Sequence, residues 1–147
     1  MKFFYYGIFV TTVIFAIYGL IAKKDFGKPL AFGIVLTGIL VQIKHVLGRA
    51  RPSTSIDGFF NGPYFGYAYS SFPSGHTTFA FMVATVLSNY YPRFRIIFYI
   101  LAGWVGFERI EDFAHFPSDV IAGAVLGTII GKLVLLKFCP AKKQDNA

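Results

Sequence analysis

Long apolar segments, separated by short charged or glycine- and proline-rich stretches, constrain this chain more than any other feature. Its 147 residues are 55% hydrophobic and only 14% charged. A soluble domain of this size could not bury so much apolar surface. A helix needs about 20 mostly apolar residues to cross a bilayer. The sequence therefore predicts an all-α, polytopic transmembrane helix bundle that forms a single domain over residues 1–147.

Five segments reach or approach the length of a membrane span. They are Phe3–Ala22, Pro29–Leu47, Ser74–Tyr91, Arg95–Phe107 and Pro117–Phe138. A signal peptide is the alternative for the first, because Lys2 precedes its apolar block, but no small-residue cleavage site follows the block. In the fifth, glycine recurs every fourth residue, which allows close helix packing in lipid; these are Gly123, Gly127 and Gly131.

Basic residues predict the orientation of the bundle. With the N-terminus outside, the inner side holds Lys23, Lys24, Lys28, Arg93, Arg95, Lys137, Lys142 and Lys143. The outer side holds Lys2, Lys44, Arg49, Arg51 and Arg109. Because inner loops are enriched in lysine and arginine, we expect the N-terminus outside and the C-terminus inside.

Composition argues against several classes of ligand. The net charge of +7 does not indicate nucleic acid, because no basic run alternates with exposed aromatic residues. Cys139 is the single cysteine, so the chain has no internal disulfide or cysteine metal cluster. The acidic residues lack histidines at metal-ligand spacing. We therefore expect no metal, no cofactor, no nucleic acid and no obligate protein partner.

The first of three polar motifs is KHVLGRARP, from Lys44 to Pro52, at the end of the second predicted span. Lys44 and Arg51 are seven residues apart, or about two helical turns, and would share one face if the helix extends that far. Two cations on one face favour an anion between them. A basic membrane flank that contacts lipid headgroups is the alternative.

The second motif, Pro73-Ser74-Gly75-His76, directly precedes an apolar helix. Proline and serine are favoured at helix starts, where the serine hydroxyl can cap the helix. Glycine allows a ligand to approach the backbone, and the free N–H groups and helix dipole favour phosphate. A plain cap would explain Pro73 and Ser74 equally well, but it gives His76 no role.

The third motif, RIEDFAHFPSD, runs from Arg109 to Asp119. Asp119 follows His115 by four residues, so its carboxylate could hold one ring nitrogen and leave the other free to attack. In isolation, that pair could equally be a structural hydrogen bond. All three motifs fall at span ends on the predicted outer face, and ionisable residues at such positions indicate function.

In order and spacing, these motifs resemble the type 2 phosphatidic acid phosphatase (lipid phosphate phosphatase) superfamily. The resemblance implies that His115 attacks phosphorus to form a phosphohistidine, oriented by Asp119, and that His76 is the general acid and base. It further implies that phosphate is held without a metal; the residues for this are Lys44, Arg51, Ser74, Gly75 and Arg109.

Two positions depart from the family pattern or extend it. Glu108 stands where the family has serine before the arginine, and a carboxylate there would repel phosphate unless it pairs with a cation. Arg49 could contact a substrate headgroup or only anchor the chain in the membrane. The family also commonly has six spans, and we expect one N-terminal span fewer here. We expect the aromatic loop Ser53–Phe72 to form an interfacial lid.

The expected activity is removal of phosphate from a lipid phosphate or diphosphate, in a bacterial inner membrane with the site on the periplasmic face. Candidate substrates are lipid A 1-phosphate, undecaprenyl diphosphate, phosphatidylglycerophosphate and phosphatidic acid. A lipid phosphotransferase of the same superfamily would share the first half-reaction. A non-enzymatic channel or scaffold is a third alternative, and it would not need His76 or His115.

Overall fold

The computed structural model describes residues 2–54 and 57–139, and every regular element in this part of the chain is helical. The α-helices are α1 (Lys2–Ile21), α2 (Gly27–Leu40), α3 (Ile43–Leu47), α4 (Gly75–Tyr90), α5 (Arg95–Glu111) and α6 (Pro117–Phe138). Single turns of 3₁₀ helix lie at Tyr67–Tyr69 and Pro92–Phe94. The predicted all-α class is confirmed. Helix α6 has the predicted bounds, while α5 continues past its predicted end at Phe107 to Glu111.

Two of the described segments are long and apolar enough to cross a membrane, Gly27–Leu47 and Pro117–Phe138. A shorter apolar segment covers Val10–Ile21. Large apolar side chains also face outward from the bundle, for example Ile96 on α5 and Leu136 on α6. These features fit a lipid environment, and the count of five spans stays a prediction.

Helix α4 packs closely against α6, and the glycines of α6 make this possible. A Cβ atom on Gly127 would lie 2.2 Å from the Thr78 carbonyl oxygen, and one on Gly131 would lie 2.6 Å from Cβ of Thr85. The role predicted for these glycines in close packing is thus confirmed. Along the same α4–α6 interface, Met82 and Ile130 are almost completely buried in the main apolar cluster. The contact fixes the start of α4 beside the start of α6.

The second predicted span is helical but interrupted at Val41 and Gln42, between α2 and α3. It ends at Gly48, which has a left-handed backbone (φ 57°) and whose Cβ atom would lie only 1.7 Å from the Gly62 carbonyl oxygen. Glycine is needed there for both reasons. Arg51 therefore lies beyond the helix, and the expectation that Lys44 and Arg51 share a helical face is wrong.

The helices run alternately up and down, which gives the bundle two distinct ends. At the end we call the site end, the N–H of Ser74 donates to the carbonyl of Asp119 at 3.1 Å, which joins the starts of α4 and α6. At the opposite end, which we call the basic end, lie the α1–α2 connection, the α4–α5 connection and the end of α6. The basic residues there are Lys23, Lys24, Lys28, Arg93, Arg95 and Lys137. Lys142 and Lys143 lie outside the described residues.

Candidate active site

Residues from all three sequence motifs meet at the site end. His76, on the first turn of α4, lies in the electrostatic field of residues from the other two motifs, namely Lys44, Arg51, Arg109 and His115. The Arg51 guanidinium donates to the carbonyl of Ala114 at 3.0 Å, which ties the first motif to the third. Arg51 therefore reaches the site from the loop after Gly48 and not from a helix.

His115 is only 3% exposed, and its Nδ1 lies 2.7 Å from the carbonyl oxygen of Ser71. A carbonyl can only accept, so in the neutral ring Nδ1 must carry the proton and Nε2 must be unprotonated. Burial lowers the pKa of His115, although the nearby Asp119 acts in the opposite direction. The Ser71 carbonyl thus fixes the orientation of the ring, and burial favours its neutral form.

Asp119 is completely buried at the third position of α6. Its Oδ2 accepts from the Ser71 hydroxyl at 2.5 Å and from the backbone N–H of Phe116 at 2.9 Å. The distance from Oδ2 to Nδ1 of His115 is 3.8 Å, longer than a hydrogen bond. The predicted neighbourhood of His115 and Asp119 is present, but Ser71 connects them, through its carbonyl to the ring and through its hydroxyl to the carboxylate.

Arg49 is directed into the protein at the same place. Its Nη1 forms an ion pair with Oδ1 of Asp119 and donates to the Ser118 hydroxyl at 2.8 Å, while its Nε donates to the carbonyl of Gly58 at 2.9 Å. The guanidinium also lies over the ring of Phe116, 4.6 Å from its centroid. These contacts make Arg49 a partner of Asp119, and its contact with a substrate headgroup stays a prediction.

Arg51 has most of its hydrogen-bond donors already engaged. Nε donates to the Tyr67 carbonyl at 2.9 Å, Nη1 to the Ala114 carbonyl at 3.0 Å, and Nη2 to the carbonyl and hydroxyl oxygens of Ser70, both at 3.3 Å. A guanidinium has five N–H groups, so within the described part of the chain one on Nη1 is left for an anion. Arg51 therefore holds the loop around Tyr67 and Ser70 as well as lying in the predicted phosphate site.

Arg109 is 6% exposed, and its Nη2 pairs with Asp112 at 2.9 Å. Its Nε is buried and has no hydrogen-bond partner within residues 2–54 and 57–139. An unpaired buried donor costs about 1–3 kcal/mol, and a phosphate oxygen would satisfy it. The carbonyl of Arg109 also accepts from the N–H of His115 at 3.1 Å, which fixes the backbone of that histidine.

Glu108 is 5% exposed, and its Oε2 likewise lacks a partner in the described part of the chain. Among the described residues it forms no ion pair, so the cation partner that phosphate binding would require there is not found.

The start of α4 differs in one respect from its prediction. Ser74 is the residue before the helix, but its hydroxyl makes no capping bond and instead accepts from the Thr77 hydroxyl at 3.0 Å. The predicted capping role of the Ser74 side chain is wrong. Gly75 is needed for packing as well as for ligand approach, since a Cβ atom there would lie 2.9 Å from Cγ1 of Val41. Lys44, Gly75 and His76 line one end of a cleft between α2 and α4.

The aromatic loop covers the site end with exposed rings. Phe65 is 86% exposed, and Tyr67 and Phe59 are also exposed. His45 stacks on Phe65 with ring centroids 5.8 Å apart, and its Nδ1 lies 3.3 Å from the Tyr64 carbonyl. These contacts fit an interfacial position for the loop, and its role as a lid stays a prediction.

Sequence reasoning missed Ser71, although this residue connects His115 to Asp119. Ser71 precedes the second motif by only two residues, but its hydroxyl partner lies 48 residues away. No local pattern predicts such a contact. The sequence indicated only that a buried Asp119 carboxylate would need hydrogen-bond donors. It did not identify which hydroxyl group would donate.

Comparison with known proteins agrees with this geometry. Residues 26–141 match the PAP2 superfamily. The lipid A 1-phosphatase of Rhizobium johnstonii is 39% identical over 116 residues, which are 76% of this chain and 48% of the relative. The lipid A 1-phosphatase of Rhizobium etli is 41% identical over 105 residues, covering 69% of this chain and 45% of the relative.

A solved structure extends the likeness to three dimensions. The crystal structure of Aquifex aeolicus LpxE superposes with a TM-score of 0.74 and 33% identity, over 91% of this chain and 82% of that one. The chain spans about half the length of the two Rhizobium relatives. The matched region contains all three motifs, and the fold and the arrangement of helices are shared. The chain belongs to the PAP2 superfamily.

Proposed function

We propose that this protein is an integral membrane lipid phosphatase that works through a phosphohistidine on His115. One observation carries the proposal: the ring of the buried His115 has Nδ1 fixed on the Ser71 carbonyl, which leaves Nε2 unprotonated in the neutral ring, and Arg51 lies in its electrostatic field. The buried Nε of Arg109, which has no hydrogen-bond partner in the described part of the chain, supplies a donor for phosphate.

In the first step, Nε2 of His115 attacks phosphorus, a nitrogen–phosphorus bond forms, and the bond to the leaving oxygen breaks. His76 gives its proton to that oxygen, which leaves as the lipid alcohol or, from a diphosphate, as the lipid phosphate. In the second step, His76 takes a proton from water, the resulting hydroxide attacks phosphorus, and inorganic phosphate leaves His115. Asp119 supports the imidazolium through Ser71.

Lys44, Arg51 and Arg109 stabilise the charge on the phosphoryl oxygens, aided by Ser74 and by the N–H of Gly75 at the start of α4. Stabilising that charge is the main requirement of phosphoryl transfer, and three cations can meet it without Mg²⁺. We therefore expect activity to be independent of metal ions.

Lipid A 1-phosphate is the first substrate to test, because several of the similar proteins are named lipid A 1-phosphatases. Phosphatidic acid, phosphatidylglycerophosphate and undecaprenyl diphosphate follow. We place the protein in a bacterial inner membrane with five spans, the N-terminus outside and the site end on the periplasmic side. The exposed basic end would then face the cytoplasm.

Phosphate release by the purified protein from each of these four lipids, with and without EDTA, tests the proposal. We expect release from at least one lipid, unchanged by EDTA, and inhibition by vanadate, which mimics the transition state. A lack of release from all four, or release that requires added Mg²⁺, would contradict the proposal. The topology is tested separately with reporters, since one fused after Ala147 should lie in the cytoplasm.

A further inference from the structure

A cleft of about 310 Å³ between α2 and α4 leads away from the proposed phosphate site. Lys44 and His76 lie at its polar end, and the apolar side chains of Ile34 and Phe79 lie further along it. Since the leaving oxygen of a lipid phosphate must lie near His76, the lipid part of the substrate would extend into this cleft. The cleft is thus positioned to contact the atoms next to the phosphate.

Thr37 lines this cleft and differs from other threonines of the bundle. It is 3% exposed, and its hydroxyl has no hydrogen-bond partner in the described part of the chain. By contrast, the hydroxyls of Thr78, Thr85 and Thr128 each donate to the carbonyl four residues earlier, at 2.7–2.8 Å. An unpaired buried hydroxyl is unfavourable, and a ligand acceptor in the cleft would relieve that cost.

The position of Thr37 suggests which substrate atom it meets. Ile34, Thr37, Val41 and Lys44 follow the three- and four-residue spacing of one helical face, and Cγ1 of Val41 abuts Gly75. Thr37 therefore lies about one helical turn, roughly 5–6 Å, farther from the site end than Gly75 does. In an acylated lipid phosphate, the first ester or amide carbonyl lies a few bonds from the phosphoester oxygen. A polyprenyl phosphate has only hydrocarbon there.

We propose that the Thr37 hydroxyl donates a hydrogen bond to an acyl carbonyl of the substrate, forming a subsite in the α2–α4 cleft that favours acylated lipid phosphates over polyprenyl phosphates. The inference rests on the proposed phosphatase activity and narrows its substrate class. Threonine in a helix occupies two side-chain rotamers, so a rotation about its Cα–Cβ bond can direct the hydroxyl toward a bound lipid.

The test compares diacylglycerol phosphate with its ether-linked dialkyl counterpart of equal chain length, each at the same mole fraction in detergent micelles. The two lipids differ only in the carbonyl groups. We expect the wild-type protein to show a higher kcat/KM for the ester lipid by roughly 3- to 10-fold, the size of one neutral hydrogen bond. Thr37→Val should remove this preference, whereas Thr37→Ser, which keeps the hydroxyl, should retain it.

Thr128→Val is the matched control, because it makes the same substitution where the hydroxyl is bonded within its own helix. It should leave the ester preference intact. A wild-type protein without ester preference, a Thr37→Val variant that retains it, or equal slowing of both lipids by that variant would each overturn the inference. If the wild-type protein releases phosphate from neither of these lipids nor from any of the four candidate lipids, the proposed function fails as well.

Discussion

The two ends of the bundle contain similar numbers of charged side chains but hold them in different ways. At the site end, His115, Asp119, Arg51 and Arg109 are at most 6% exposed and lie in a network of hydrogen bonds and ion pairs. At the basic end, the lysines of the α1–α2 connection and the arginines of the α4–α5 connection are exposed. Burial and fixation, rather than charge alone, distinguish the proposed catalytic end.

The cavities lead to the same conclusion. A cavity of about 760 Å³ lies at the basic end and is lined in part by Lys23, Lys24 and Lys28. The cleft beside His76 is smaller, at about 310 Å³. Exposed lysines on flexible stems suit a membrane surface, where each contributes modestly. Buried, fixed groups near such a cleft are instead suited to stabilising a particular transition state.

The largest difference between the ends should appear when a single side chain is removed from each. His115→Ala should lower phosphate release by at least about 10⁴-fold, because the proposed nucleophile is lost. Lys24→Ala, at the basic end, should change the rate less than about twofold, since exposed charges contribute little. Initial rates with the best lipid substrate measure both. Residual activity above a tenth of wild type in His115→Ala would refute the assigned role.

His76→Ala should have the next largest effect, a loss of roughly 10²–10⁴ in turnover, because a general acid is removed. The defect should shrink with a nitrophenyl phosphate, whose leaving group needs no proton, provided that the site admits it. His115→Ala should gain nothing from that change of substrate. A similar response of the two variants to leaving-group acidity would contradict this division of roles, and improvement of His115→Ala alone would reverse it.

The two ends of α5 offer a matched pair, Arg109 at the site end and Arg95 at the basic end. Arg109→Ala should lower kcat/KM by roughly 10- to 100-fold, the cost of a charge-assisted hydrogen bond, and should weaken vanadate inhibition in parallel. Arg95→Ala should leave both values near wild type. Equal effects of the two substitutions would remove the functional distinction between the ends. Lost activity with unchanged vanadate affinity would argue against phosphate binding by Arg109.

The smallest expected effect concerns pH. Because burial lowers the pKa of His115 below its usual value of 6.5, the neutral nucleophile should persist through that pH and be lost only as pH falls further. The rate of phosphoryl-enzyme formation, corrected for ionisation of the substrate phosphate measured by ³¹P NMR, should therefore decline with a midpoint below 6.5. A midpoint above 6.5 would mean that Asp119 outweighs the burial.

Much of this architecture could be predicted from the sequence because it depends on local or periodic signals. The apolar segments predicted the helices, and the recurring glycines of α6 predicted its close packing against another helix. The interruption at Val41 and Gln42 was missed. The loop path of Arg51 was missed as well, because it follows from the end of the helix at Gly48, against Gly62. Motif spacing placed His115 near Asp119 but could not find Ser71, whose contacts join distant segments.

The site residues show the same division. The motifs identified these residues, but their hydrogen-bond and ion-pair partners depend on three-dimensional packing. Arg49 and Arg51 are two residues apart in the sequence, but one pairs with Asp119 while the other binds carbonyl groups of the loop. The motif resemblance distinguished Arg51 from Arg49 but predicted these partners for neither.

Locating the phosphoryl group on the enzyme tests the central claim most directly. The protein would be mixed with ³²P-labelled lipid phosphate, quenched in base to preserve phosphohistidine, and mapped by peptide mass spectrometry. We predict label on His115 in the wild-type protein and none in His115→Ala. When ³²P-labelled nitrophenyl phosphate replaces the lipid, we predict more label in His76→Ala than in the wild-type protein, because that variant slows hydrolysis more than formation. Label on His76, or wild-type labelling of His115→Ala, would contradict the account.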